Sequence, residues 1–395
     1  MLRELREVLK GNMRTLALVA ALSGAYSAML DVVVQPMMLD IGASVALIGL
    51  LFSLGGFSGI IPTLVQPVAG ALSDLHGRKS ILLIARVLLL SAILCYLASA
   101  FTRSLALASL AVILGGLSAM GWPVWDAAVA DATPGSYRGM AYSLILVSSA
   151  APGLFTRPAG GLAADELGYW TIFSIAAVAE SLCLLALWRG LSDERQNARV
   201  NISLSSMLKR AFKPPKGLRV FYLLNGLDSL TWGTTMGIIN ALMVSHFGLR
   251  NFQIGLLSTA LSVTMVASQV PIGALIDRVG CRLVLAVSQL LGVPFTLLIL
   301  LGGQFWQLIL AYSALGLAAA TWFPATRAYL SKAAPSGDVG GSLGRLSVFN
   351  GLIGFPAPAL GGVLYEHLGL IGPLTPTLLG SLMLALGFIV LLQEE

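Results

Sequence analysis

Residues 70–79 read Gly-Ala-Leu-Ser-Asp-Leu-His-Gly-Arg-Lys, and residues 273–282 read Gly-Ala-Leu-Ile-Asp-Arg-Val-Gly-Cys-Arg. The glycines and the aspartate recur in the same order, 203 positions apart. A second set agrees. Pro123, Asp126, Asp131 and Pro134 stand 201 positions before Pro324, Arg327, Lys332 and Pro335. A fixed internal offset is the mark of a repeated structural unit. The chain reads as one apolar unit written twice. Two such halves in a membrane imply a carrier whose halves rock around a central site.

Composition supplies the membrane. The 395 residues are 57% hydrophobic and 11% charged, where soluble domains carry about 25% charged residues. Long apolar stretches recur throughout, and in hydrocarbon only helices or closed barrels satisfy every backbone group. The runs are continuous rather than alternating, so helices are expected, over 13–38, 46–72, 80–101, 105–130, 139–163, 170–189, 219–244, 252–275, 282–302, 304–330, 343–365 and 371–392. The expected fold is an all-α integral membrane protein of twelve transmembrane helices in two pseudo-symmetric six-helix bundles. Residues 1–189 form the first bundle, 190–218 a cytoplasmic linker with the Pro214-Pro215 break, and 219–395 the second.

Basic residues set the orientation. Of 24 lysines and arginines, Arg103 and Arg250 fall in one set of loops and Arg86, Arg157 and Arg327 inside spans; all the others lie on the opposite side. The positive-inside bias then places both termini and the linker in the cytoplasm, and the protein in the cell membrane. The charged lead up to Arg14 runs into the first span without a cleavage site and reads as cytoplasmic rather than as a signal peptide. The net charge of +6 is a topology signal and points to lipid headgroups, not to nucleic acid.

Several chemistries are not encoded. Cys95, Cys183 and Cys281 have neither metal nor disulfide spacing. No phosphate-binding glycine loop with its Lys-Ser/Thr is present. His76, His246 and His367 fall in loops or at helix ends, so no enzyme constellation forms. No cofactor or metal is expected.

The 70–79 motif, Gly70, Asp74, Gly77, Arg78 and Lys79, resembles the loop signature of the major facilitator superfamily. Its weaker copy is Gly273, Asp277, Arg278, Gly280 and Arg282. With the duplication and the span count, the resemblance covers the whole chain and points to the twelve-helix drug/proton antiporter branch. It implies a cytoplasmic latch in which Asp74 and Arg78 engage Asp131 at the end of span four. The resemblance also implies that spans one, four, seven and ten line the cavity, and that the protein works as a monomer. Gly70 is expected to let two helices approach closely, and Gly77 to permit a tight turn.

Ionisable side chains inside a bilayer are costly and usually mark function. Asp31, Asp126, Asp228 and Arg327 sit on spans one, four, seven and ten, one each. Asp126 and Arg327 hold equivalent repeat positions and are expected to pair across the halves when the cytoplasmic side closes. Asp31, a carboxylate two-thirds of the way outward, is a candidate proton carrier, and Asp228 a cavity residue. Arg157 stands where the antiporter signature of span five, matched by Pro158 and Gly161, has glycine; it must find a carboxylate, water or an anionic substrate. Arg86 is expected to snorkel to the interface, and Glu180 to pair with a neighbouring arginine. Trp122, Trp125, Trp232 and Trp322, joined by Tyr26 and Met236, give the cavity spans an aromatic and thioether lining suited to flexible amphiphiles.

The sequence thus points to a secondary transporter of small amphiphilic organic molecules, exporting them in exchange for protons. Two alternatives stay open: uptake of an organic anion held by Arg157 and Arg327, and a non-transporting membrane receptor or scaffold.

Overall fold

The computed structural model describes residues 10–133, 137–192, 213–334 and 339–392, and these are helical with no strand. Pro134, Pro335 and most of the expected linker lie outside the described residues. Twelve helical passes follow one another. Span one is Asn12–Asp40; span two is Val45–Gly55 continued by Ile60–His76; span three is Arg78–Thr102; span four is Leu105–Ser118 with Gly121–Asp131; span five is Arg138–Leu167; span six is Tyr169–Gly190. Span seven is Arg219–Met236 with Ile239–Phe247; span eight is Asn251–Val279; span nine is Cys281–Leu290 with Gly292–Leu301; span ten is Phe305–Ala333; span eleven is Val339–Gly354 with Ala357–Leu368; span twelve is Ile371–Leu391.

Ten of these are long and apolar enough to cross a bilayer, and span eight, bent by 53° ahead of Pro271, makes eleven. Span seven falls short because Asn225, Asp228, Thr231, Thr234, Thr235 and Asn240 dilute its hydropathy. Its threonines are satisfied internally: the Thr235 hydroxyl donates to the Pro373 carbonyl at 2.9 Å and meets the Thr377 hydroxyl at 2.7 Å. A polar helix is tolerable in a membrane when its partners face it from inside the bundle.

The duplication is visible in the backbone. Gly77 and Gly280 end spans two and eight with φ of 89° and 87°. Only glycine enters that region freely, which is why the motif keeps it. Gly168 and Gly369 do the same after spans five and eleven. Gly70 does not bring two helices together as expected, for a Cβ there would only touch Pro123 at 3.9 Å, and one at Gly273 would meet nothing within 4 Å. Close helix approach is instead carried by Gly160-Gly161 and their repeat partners Gly361-Gly362. A Cβ on Gly161 would strike the Asn251 backbone of span eight, and one on Gly362 the Val45–Ala46 backbone of span two.

Those contacts define the two seams between the halves, spans five and eight on one side and spans two and eleven on the other. Both are fastened at the end away from the Gly77 and Gly280 turns. Asp165 on span five accepts from Asn251 N (3.1 Å), Asn251 Nδ2 (2.7 Å) and Phe252 N (2.9 Å), capping span eight. Its repeat counterpart Glu366, 201 positions on, accepts from Ala46 N at 3.0 Å and caps the start of span two. Each carboxylate thus satisfies free amides at a helix N-terminus of the opposite half. Gln35 of span one splints the break in span seven: its amide donates to the Gly237 carbonyl and its carbonyl accepts from Ala241 N, both at 2.9 Å.

At the other end the halves part. Val45–Gly55 packs tightly along Ala357–Leu368, while Ile60–His76 and Val339–Gly354 touch sparsely. Along the same end of span five, Tyr142, Leu146 and Val147 are exposed. The molecule is closed on the side of Asp165 and Glu366 and open on the side of the Gly77 turn.

Candidate functional site

A cavity of about 300 Å³ lies between spans seven, eight, nine and ten. Its walls are Trp232, Trp322, Phe323, Met236, Leu261 and Leu315, with Asp228, Ser288 and Gln289 as its polar members. That is an apolar chamber with few, convergent polar groups, at the small end of ligand-site volumes. The aromatic walls are held by their own neighbours: Trp232 stacks on Phe295 and Trp322 meets Phe388 edge-on, both at 5.8 Å between centroids. Gln289 ties the floor together. Its Nε2 donates to Asp228 Oδ1 at 2.7 Å, and its Oε1 accepts from Trp232 Nε1 at 3.1 Å. Asp228 therefore meets a neutral amide and no cation, among the described residues. Its negative charge is left for whatever enters the cavity.

Of the residues singled out from sequence, Asp228, Trp232, Met236 and Trp322 come together here, and all belong to the last six spans. Tyr26 and Trp125 stand elsewhere. Tyr26 is buried and its hydroxyl donates to Glu180 Oε2 at 2.5 Å. Arg86 Nη1 donates to the same oxygen at 2.9 Å, and its guanidinium lies over Trp125, 5.5 Å from the ring centre. Arg86 does not snorkel. A carboxylate on span six is within reach, and pairing inside the bundle satisfies a guanidinium that lipid would not. Trp122 is half exposed and packs on Phe57, with 5.1 Å between ring centres.

Asp31 and Arg157 lie at matching heights on spans one and five. Asp31 is exposed, and Arg157 is the charge that acts on it, with no ion pair between them among the described residues. Arg157 Nη1 donates to Ser262 Oγ on span eight at 3.1 Å, across the seam. Asp126 and Arg327 face one another electrostatically near the open end but form no ion pair among the described residues. They are exposed to the cleft.

The loop motif is assembled within the first half. Arg78 pairs with Asp74 and, through Nε, with Asp131 Oδ2 at 3.1 Å, while its Nη1 donates to Ser73 Oγ at 2.6 Å. In the second copy Cys281 occupies the slot of Arg78 and is buried, and Asp277 and Arg278 are exposed. Arg282, the counterpart of Lys79, instead donates to the Ile389 carbonyl.

Gln289, Ser262, Asp165 and Glu366 escaped sequence reasoning. Gln289 and Ser262 are neutral and common in membrane helices, and the two acids sit at span ends where a carboxylate needs no special account. The repeat offset held a signal for Gln289, which is Arg86 displaced by 203 positions.

Comparison with known proteins agrees with this architecture. The model of the Major Facilitator Superfamily matches residues 16–227 and again 221–395. The chain is 28% identical over 311 residues to the class H tetracycline resistance protein of Pasteurella multocida, covering 76% of each. It is 25% identical over 291 residues to the multidrug resistance protein MdtG of Salmonella typhi, covering 71% of this chain and 69% of that one. Among solved structures, the nucleoside transporter NupG superposes with a TM-score of 0.76 at 14% identity, over 98% of this chain and all of that one. The human organic anion transporter MFSD10 gives 0.69 at 21% identity, over 96% and 98%. These two likenesses speak for the fold. A duplicated helical chain with a cleft between its halves and a double match to one family model leaves a single assignment: this protein is a multi-pass membrane transporter belonging to the Major Facilitator Superfamily.

Proposed function

We propose that the protein exports a small amphiphilic organic molecule, cationic or with a cationic edge, in exchange for protons. The observation that carries this reading is the aromatic cavity whose one carboxylate, Asp228, has only an amide for a partner. Flat apolar walls of tryptophan hold a lipophilic body, and the carboxylate attracts its positive end. The drug-resistance relatives support export of such molecules. The basic loops on the side of the Gly77 turn support a cytoplasmic location for that side and for both termini. In this orientation the cleft opens inward. Residues 1–189 and 219–395 are the two rocking bodies, joined by 190–218. Asp126 and Arg327, apart while the inner side is open, draw together as it closes, and the Asp74–Arg78–Asp131 cluster stiffens the inner rim of the first body. Asp31, Asp126 and Asp228 are the candidate proton carriers.

The test is transport in proteoliposomes. An inside-acid gradient should drive accumulation of tetraphenylphosphonium, and Asp228→Asn should abolish it. Equal accumulation without a gradient, or in the Asp228→Asn variant, would count against the reading. A second reading, uptake of an organic anion, is favoured by Arg327, which faces the cleft with no ion-pair partner among the described residues. It expects carboxylate-driven counterflow lost in Arg327→Gln and Arg157→Gln.

A further inference from the structure

Resting on the exporter reading, we propose that Asp31 and Arg157 form a proton-coupling site separate from the organic-ligand cavity, and that Arg157 carries the protonation state of Asp31 to the outer seam through Ser262. The ligand cavity belongs wholly to spans seven to ten, whereas this pair belongs to spans one and five. The guanidinium lies over Gly153, and Ala28 of span one packs on the same glycine, since a Cβ on Gly153 would meet Arg157 Nη1 at 2.9 Å and Ala28 Cβ at 3.2 Å. Asp31 follows Ala28 by three residues and shares its helix face. A small residue at 153 makes the room that a guanidinium in a glycine slot requires. From there Nη1 reaches Ser262 at 3.1 Å, on the opposite half. Just beyond, the Asn240 side chain donates to the Asp31 carbonyl at 2.6 Å, also across the halves.

The charged and titratable neighbours leave one reading of this pair. Span five brings Arg157, Asp165 and Glu166; Asp165 is spent on Asn251 and Phe252, and Glu166 is exposed at the end of the span. Span six brings Glu180, held by Arg86 and Tyr26, and Arg189, exposed in its last turn. Span seven brings Arg219, Asp228 and His246 and span eight Asp277 and Arg278; Asp228 faces the ligand cavity, and the others stand at helix ends. Span two offers Asp74 and His76 at its far end and, among its described residues, no charge beside Asp31.

With Asp31 ionised, Arg157 is held in place and its bond to Ser262 helps keep the outer seam shut, so the empty carrier stays inward-facing. A proton arriving on the Asp31 carboxylate forms an O–H bond and removes the negative charge. Arg157 then loses its anchor, Ser262 is released, and the seam is free to open and close. Such a rule lets the protonated carrier cross and holds back the empty one; exchange requires in addition that an organic ligand, seated beside Leu261 in the cavity, release the same seam while Asp31 is ionised.

The experiment needs no substrate. Nitroxide labels on Thr102→Cys and Gly303→Cys, in a Cys95→Ser background and in liposomes, report the width of the outer side by pulsed electron resonance. The parent should show one short distance at mildly alkaline pH and an added longer population at mildly acid pH. Asp31→Asn should make the distribution independent of pH, Ser262→Ala should populate the longer distance even at alkaline pH, and Asp31→Glu should restore the response with a shifted midpoint. Should Asp31→Asn fail to fold, the midpoint of Asp31→Glu decides, and a midpoint identical to the parent's overturns the proposal. A response that survives Asp31→Asn, that is absent from the parent, or that disappears instead in Asp165→Asn overturns it too. Failure of the exporter reading is seen separately, as absence of tetraphenylphosphonium transport by the parent.

Discussion

The two halves put the same three positions to opposite uses. In the first half, Tyr26, Arg86 and Glu180 from spans one, three and six close on each other as a buried, charge-compensated knot. Displaced by 202, 203 and 201 positions, the same places in the second half hold Asp228, Gln289 and Ser381. The carboxylate has moved from the outer helix to a cavity helix, the arginine has become an amide, and the third place carries a buried hydroxyl. One half is filled, and the other keeps a chamber of about 300 Å³. On the proposed reading, the lesson is that a duplicated scaffold makes a binding site by removing a cation and leaving its anion behind. A buried charge without its partner is expensive in a finished core; beside a cavity the ligand can complete it.

The comparison can be broken most forcefully at the knot. Glu180→Ala strands the Arg86 guanidinium, and the folded state in detergent should lose about 3–5 kcal/mol against chemical denaturation. Ser381→Ala, its counterpart, should cost under about 1 kcal/mol, since that hydroxyl has no hydrogen-bond partner to lose among the described residues. Equal losses would mean that the two places are not used differently.

Next comes ligand affinity. Trp232→Ala should weaken tetraphenylphosphonium binding about 30-fold, roughly 2 kcal/mol, because it removes a wall of the chamber. Trp125→Ala, in the filled half, should change it by less than about twofold. Calorimetric titration of both variants decides. Gln289→Arg sharpens the point by giving the second half the residue of the first. The cation should lose about tenfold in affinity or more as Asp228 gains a resident partner, with thermal stability held or raised. Retained binding would refute the role given to the unpaired carboxylate.

A smaller effect is expected at the seams. Asp165→Ala removes three cross-half hydrogen bonds and should destabilise the closed end by about 1–2 kcal/mol. Glu366→Ala, in a more exposed place, should shift it by a few tenths. The same spin-label distances measure both. Exchanging Asp126 and Arg327 for one another should cost just as little, about 0–0.5 kcal/mol, because they form no ion pair among the described residues. Transport lost in either single variant should return in part in the exchange variant.

Much of the fold was legible because membranes demand long apolar helices and because the repeat keeps its glycines and prolines. The Gly77 and Gly280 turns need a positive φ that other residues resist, so they stay recognisable. Span membership likewise gathered Asp228, Trp232, Met236 and Trp322, which line one cavity. Other things were hidden for physical reasons. Tyr26 and Trp125 lie on cavity spans, but a helix has several faces, and theirs look toward Arg86 and Glu180. Arg86 was expected at the interface, because its partner lies 94 positions away on a helix that no local pattern connects to it. Gln289 went unnoticed since amide and guanidinium share no sequence signal; only the offset relates them. The seam acids Asp165 and Glu366 work on backbone amides, whose exposure depends on where the other half's helices begin.

Since the chamber is built from spans seven to ten alone, a passenger held there as proposed would stay seated on one body while the other swings past it. Its main contacts are then the same at the start and the end of the journey. Any difference in grip between the two sides must be imposed by what the opposite body adds or withdraws, making that body a lid and toll-keeper rather than half of the seat. A photoreactive compound attached at Trp232 or Trp322 would accordingly mark the same residues whichever door stands open.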